Sequence, residues 1–75
     1  MAVTAKMINR QVDLLEDIVS KLTEYCESKG DVLDNEEGKV FPNEERVELL
    51  SEQIAIIEDA ISDIETAISR LGEYV

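Results

Sequence analysis

The strongest constraint in this sequence is the spacing of its hydrophobic residues, which recur at alternating intervals of three and four along two segments. Such spacing places each set on one side of an α-helix, because the helix has about 3.6 residues per turn. We call these two sets the seams. The first seam comprises Ala5, Ile8, Val12, Leu15, Val19, Leu22 and Cys26, and the second Val47, Leu50, Ile54, Ile57, Ile61, Ile64, Ile68, Leu71 and Val75. The sequence therefore predicts an all-α helical hairpin of two long, amphipathic, heptad-patterned helices.

Flanking residues predict where the two helices begin and end. Gly30 follows Lys29, and glycine is typical of a helix C-terminus because it readily adopts the left-handed conformation. Pro42 precedes Asn43, a good N-cap, and Glu44 adds negative charge to the first turn of the second helix. The sequence thus predicts a single domain, 1–75, with helix 4–29, connector 30–42 and helix 43–74.

The connector contains four hydrophobic residues, which is many for a free linker. Val32 and Leu33 precede a turn-rich segment in which Gly38 is available for a positive φ, and Val40 and Phe41 follow it. A small β-hairpin and an ordered loop both satisfy this pattern. The hydrophobic residues either pack over the open end of a helical bundle or, at Val40 and Phe41, bind a partner.

A second hydrophobic stripe runs beside each seam and predicts self-association. It comprises Met7, Leu14, Ile18 and Tyr25 in the first helix, and Leu49, Ile56, Ala60, Ala67 and Tyr74 in the second. A broad apolar surface suits a helix with two neighbours, and a chain this short buries little surface by itself. We therefore expect a homo-oligomer, most simply an antiparallel dimeric four-helix bundle with a connector at each end. Its predicted core is Leu14, Leu15, Ile18, Leu22, Ile54, Ile57, Ile61, Ile64 and Ile68.

The charge is strongly acidic, with 18 acidic against 7 basic residues and a net charge of −11. Such a surface repels phosphate backbones and anionic lipids, so we expect neither direct nucleic-acid binding nor membrane binding. The acidic residues concentrate in the second helix, where they predict an acidic face that either keeps the bundle in solution or attracts a basic protein. The residues of this acidic face are Glu45, Glu48, Glu52, Asp59 and Asp63.

Residues suited to catalysis are scarce. Histidine is absent, Cys26 is the single cysteine, and its seam position predicts a buried structural thiol. Glu44, Glu45 and Glu48 share a helical face, as do the Mg²⁺ ligands of all-α nucleotide pyrophosphatases. Those enzymes pair a Glu-x-x-Glu with a Glu-x-x-Asp on another helix, and no Glu-x-x-Asp occurs in this sequence. We predict no enzymatic activity, no cofactor and no metal site.

The expected function is that of a small acidic interaction module, an adaptor or inhibitor of the kind that phages and mobile elements encode. It would act through the acidic face or through the connector. Two alternatives remain open: a bundle that binds a small ligand or a nucleotide with Mg²⁺ or Mn²⁺, and a structural oligomerisation subunit. The sequence has no signal-peptide pattern and no apolar run long enough to cross a bilayer, so we expect a cytoplasmic protein.

Overall fold

Two antiparallel helices make up the structure, a computed structural model that describes residues 2–74. Helix α1 spans Ala5–Glu37 and helix α2 spans Glu44–Leu71, and no strand occurs within residues 2–74. The hairpin is a rod with extents of 61 × 17 × 14 Å. The predicted all-α helical hairpin is confirmed, while Val75, the last predicted seam residue, lies outside the described residues. Neither helix has an apolar stretch long enough to cross a bilayer.

Both helices begin at side chains that accept hydrogen bonds from their first turns. Oδ1 of Asn43 accepts a 3.2 Å hydrogen bond from the N–H of Arg46, so Asn43 is the N-cap of α2, as predicted. Oγ1 of Thr4 accepts a 3.2 Å bond from the N–H of Met7 in the same way. These bonds satisfy backbone donors that have no partner within the helix. Thr4 is therefore the cap of α1, not its first helical residue.

The predicted end of α1 at Lys29 is wrong, because the helix continues through Gly30 to Glu37. Gly30 lies in the helix, and no glycine within residues 2–74 has a positive φ. The seam spacing also continues beyond Cys26, through Lys29, Leu33 and Glu36. Lys29 and Glu36 bond to groups on the α2 side of the hairpin, and these contacts offset the cost of a mid-helix glycine, about 1 kcal/mol.

Helix α2, unlike α1, is shorter than predicted, since it ends at Leu71 and not at residue 74. Gly72 caps it, and the N–H of Gly72 donates a 2.9 Å bond to the carbonyl oxygen of Ile68. Tyr74 lies beyond the helix, where its hydroxyl donates to the carbonyl oxygen of Val3. This bond joins the two chain ends at the open end of the hairpin.

The connector is only residues 38–43, and it is a tight loop, not a β-hairpin. Gly38 has a φ of −77°, and its N–H donates a 3.0 Å bond to the carbonyl oxygen of Asp34. Val32 and Leu33, which the sequence placed in the connector, belong to α1. Val40 and Phe41 remain in the connector but are 88% and 90% exposed, so they do not pack over the end of the hairpin.

Most seam residues are half-buried between the helices, and the core they form is thin. Leu50, at 6% exposure, is the only buried hydrophobic residue within residues 2–74. The hairpin exposes 5941 Å², whereas a compact monomer of its mass exposes about 4600 Å². A single hairpin therefore leaves much of its hydrophobic surface in contact with water.

Candidate interaction surfaces

One side of the hairpin carries the exposed hydrophobic residues of both helices, and we call it the apolar face. Each of its residues directly precedes a seam residue, as Leu14 precedes Leu15 and Ile56 precedes Ile57. In an antiparallel pair, residues with this relation to the seam fall on the same side of both helices. The apolar face comprises Met7, Leu14, Ile18, Tyr25 and Val32 of α1 and Leu49, Ile56, Ala60 and Ala67 of α2.

The exposures on the apolar face are high for large side chains. Ile56 is 67% exposed, Tyr25 56%, Leu14 53% and Leu49 53%. Residues that directly follow seam residues lie on the opposite side and are polar or small, such as Glu16 and Glu65. The hairpin therefore has two chemically distinct sides.

The predicted oligomer core divides into two groups in the structure. Two of its members, Leu14 and Ile18, lie on the apolar face and are 53% and 45% exposed. The others lie in the seams, where they are half-buried within one hairpin: Leu15, Leu22, Ile54, Ile57, Ile61, Ile64 and Ile68.

A groove of about 390 Å³ opens on the apolar face beside Ser28. Ser28 is small and lies between the larger side chains of Tyr25 and Val32, which leaves space above the seam residue Leu50. The lysine at the bottom of the groove, Lys29, is held there by a 2.8 Å bond from its Nζ to Oε1 of Gln53. The groove is lined by Tyr25, Ser28, Lys29, Val32, Arg46 and Leu50.

The five residues of the predicted acidic face are all exposed, but they do not form a single line. Glu45, Glu52 and Asp59 recur every seven residues and follow the outer side of α2, away from α1. Glu48 directly follows a seam residue, whereas Asp63 directly precedes one and borders the apolar face. Both ion pairs within residues 2–74 involve Glu36, so none of these five carboxylates is neutralised by an ion pair there.

Glu36 joins the end of α1 to the start of α2, and it was not among the residues predicted to be functional. This residue is 5% exposed, and its Oε1 accepts a 3.0 Å bond from the N–H of Asn43. Its Oε2 lies 2.8 Å from Nζ of Lys39 and 3.7 Å from Nε of Arg46. The hydrogen bond from Lys39, followed by that from Asn43, lowers the pKa of Glu36. Glu36 follows Leu33 by three residues and so continues the spacing of the seam. That spacing is the sequence signal that could have predicted its position between the helices.

Cys26 lies half-buried in the seam, with its Sγ 3.8 Å from Oε1 of Glu58. Burial raises the pKa of the Cys26 thiol, and the nearby carboxylate of Glu58 raises it further. Because the thiolate is the reactive form, this environment makes the residue a poor nucleophile.

The carboxylates near the connector line a second open concavity, of about 400 Å³. Glu44 and Glu48 contribute to it together with Glu37, Pro42 and Val47. No group of three or more acidic or cysteine side chains within residues 2–74 is arranged to hold a metal ion. Comparison with protein-family models, with curated proteins and with solved structures finds no match to this chain.

Proposed function

We propose that this protein is a non-enzymatic, cytoplasmic interaction module, an adaptor or inhibitor. Two hairpins associate through their apolar faces into a dimeric four-helix bundle, and the outer side of α2 then contacts a basic protein. The observation that carries the proposal is the apolar face, which is exposed in a hairpin whose only buried hydrophobic residue within residues 2–74 is Leu50.

The exposed area supports dimerisation. At 5941 Å² the hairpin exposes about 1300 Å² more than a compact monomer of its mass. A stable interface buries about 800 Å² on each partner, which is less than this excess. Covering it with a second copy also hides hydrophobic surface that a monomer rarely leaves open.

Light scattering tests the dimer directly, with an expected molar mass of twice the 8.4 kDa of one chain. Replacing Leu14 and Ile18 together with serine should give monomers, because both side chains lie on the apolar face. The matched control replaces Val40 and Phe41, which are more exposed but lie in the connector, and it should remain dimeric. A wild-type monomer would contradict self-association.

The outer side of α2 supports the second part of the proposal. Glu45, Glu52 and Asp59 are exposed, lie on the outer side of α2 and make no ion pair within residues 2–74. They remain open to a partner after the apolar faces have been covered. A line of unpaired carboxylates attracts a basic surface and makes binding sensitive to salt.

A binding experiment with matched charge reversals tests this contact. Proteins that the immobilised wild-type chain retains at low salt should be released at high salt and should not bind the Glu52→Lys/Asp59→Lys variant. The control, Asp13→Lys/Glu16→Lys, makes the same charge change on α1 and should still bind. Binding that is unchanged by high salt and by the two charge reversals on α2 would contradict the acidic-face contact. Loss of binding when Val40 and Phe41 are replaced would show that the connector is the contact surface.

A further inference from the structure

We propose that the two hairpins associate about a two-fold axis parallel to their long axes, so that both connectors lie at the same end of the bundle. The inference rests on the proposed self-association and specifies its geometry. It differs from the arrangement with a connector at each end that the sequence alone suggested.

Two simple arrangements bring identical faces together. If the two-fold axis is parallel to the helices, α1 packs on α2 of the second copy, and every residue keeps its level along the rod. If the axis is perpendicular to the helices and lies in the interface, α1 packs on α1 and α2 on α2, and the two ends are exchanged. The residues on the apolar face distinguish these arrangements.

Cross-helix contacts define which residues of α1 and α2 lie at the same level. Cys26 contacts Glu58, and Lys29 contacts Gln53. Each residue advances the helix by about 1.5 Å, so levels elsewhere follow by counting outward from these contacts. A two-fold axis parallel to the rod preserves these levels between the two copies.

The most exposed residue of the apolar face, Ile56, lies at the level of one end of the groove. Ile56 is 67% exposed and lies between Gln53 and Glu58, and counting from the two contacts puts it level with residues 26–28, beside Tyr25. The groove of about 390 Å³ opens beside Ser28. With the axis parallel to the rod, Ile56 of each copy faces the Tyr25 end of the groove of the other, as a knob faces a hole.

Charges on the apolar face are complementary at another level. Lys21 is five residues before Cys26 and Asp63 is five residues after Glu58, so the two are level with each other. Each directly precedes a seam residue, so both lie on the side of the hairpin that carries the apolar face, at its border. In the parallel-axis arrangement Lys21 of each copy meets Asp63 of the other, which gives two ion pairs.

The perpendicular arrangement offers Lys21 no such partner. It would face α1 of the second copy, where the residues directly preceding seam residues include no acidic side chain. These residues are Thr4, Met7, Gln11, Leu14, Ile18, Lys21, Tyr25, Ser28, Val32 and Asn35.

The sizes of the side chains on the apolar face also favour the parallel-axis arrangement. Counted outward from the two cross-helix contacts, Tyr25 lies one to three residues from the level of Ala60, and Ile18 one to three residues from the level of Ala67. Large residues of α1 therefore face small residues of α2 in the parallel-axis arrangement. Interlocking of large with small side chains is how helix interfaces reach close packing.

This geometry joins the two connectors into one tip. Val40 and Phe41 are 88% and 90% exposed in each hairpin. Two copies side by side therefore present four such side chains at one end of the bundle.

A distance measurement between two spin labels tests the axis. The label is attached to Val40→Cys in a Cys26→Ser background, and the dimer is confirmed by light scattering in the same sample. We expect a distance on the order of 20–30 Å, because packed helices lie about 10 Å apart. A dimer with a distance near the 61 Å length of the rod would overturn the inference and leave self-association intact. A monomer would contradict the proposed function itself.

A charge exchange provides an independent test. Lys21→Asp and Asp63→Lys should each weaken dimerisation by about tenfold or more, because each places like charges at one level. The double exchange should restore the dissociation constant to near the wild-type value. A double variant no tighter than the weaker single variant would overturn the parallel axis.

Discussion

Oε1 of Glu36, near the end of α1, accepts a 3.0 Å hydrogen bond from the backbone N–H of Asn43, the residue that caps α2. One side chain thus holds both ends of the connector, while Asn43 in turn starts the second helix. The connector is short, so this contact fixes the level at which the two helices meet.

Replacing Glu36 with glutamine should lower the free energy of unfolding at neutral pH, because the ion pairs with Lys39 and Arg46 are lost. Since the pKa of Glu36 is lowered on folding, its contribution is full above the ordinary value of 4.5 and is lost as the pH falls through the lowered value. The difference between wild type and variant in urea unfolding should therefore shrink as the pH falls below 4.5. Glu37→Gln, at an exposed neighbour, is the control. A difference that stays constant from pH 7 to strongly acidic pH would contradict this role.

Cys26 should react slowly with iodoacetamide, because burial and the carboxylate of Glu58 keep its pKa above the ordinary value of 9.0. Glu58→Gln should raise the alkylation rate at pH 8 without reaching the rate of free cysteine, since burial is the larger cause. Glu65→Gln, seven residues further along the same side of α2, should leave the rate unchanged. Equal rates in the two variants would show that Glu58 does not act on the thiol.

Gly30→Ala should stabilise the protein by about 0.5–1 kcal/mol, because glycine is costly within a helix and alanine is favourable. A Cβ atom at position 30 would meet nothing within 4 Å. At Gly38 the added atom would come 3.3 Å from the carbonyl oxygen of Asp34, so Gly38→Ala should gain less. Urea unfolding at one protein concentration measures both. Destabilisation by Gly30→Ala would contradict a continuous α1.

Leu50→Ala should cost about 2–5 kcal/mol, a large part of the stability of a chain this small, because Leu50 is the buried residue of the seam. Its neighbour Leu49 is 53% exposed on the apolar face. Leu49→Ala should therefore preserve helix content by circular dichroism but weaken dimerisation on dilution. The same loss of helix in both variants would contradict the division between seam and apolar face.

Local pattern predicted the helices well and the end of α1 poorly. The seams and the cap at Asn43 depend on spacing within a few turns, which the sequence displays directly. Gly30 carries an equally local signal for a helix end, but the bonds made by Lys29 and Glu36 outweigh it. The partners of these two residues, Gln53 and Asn43, are distant in sequence and are not evident from local pattern. Lys29 and Glu36 therefore appeared to mark the end of the seam, although they continue it.

The sequence predicted which residues belong to the candidate surfaces, but it did not predict how those residues are arranged relative to one another. The second hydrophobic stripe was evident from spacing, whereas the levels of Lys21 and Asp63 depend on the contact between Cys26 and Glu58. Asp63 was grouped with the acidic face because of its charge, although its position borders the apolar face. The register between two helices is a tertiary property that neither helix specifies alone.

The contacts that join α1 to α2 span steadily longer stretches of chain with distance from the connector. Glu36 and Asn43 are separated by 7 residues, Lys29 and Gln53 by 24, Cys26 and Glu58 by 32, and Val3 and Tyr74 by 71. Closing a loop costs more entropy as the loop lengthens. Contacts between α1 and α2 should therefore form most readily beside the connector and then progressively further from it. If opening follows the same gradient, we expect backbone amides near Val3 and Tyr74 to exchange with solvent first and those beside Glu36 to exchange last.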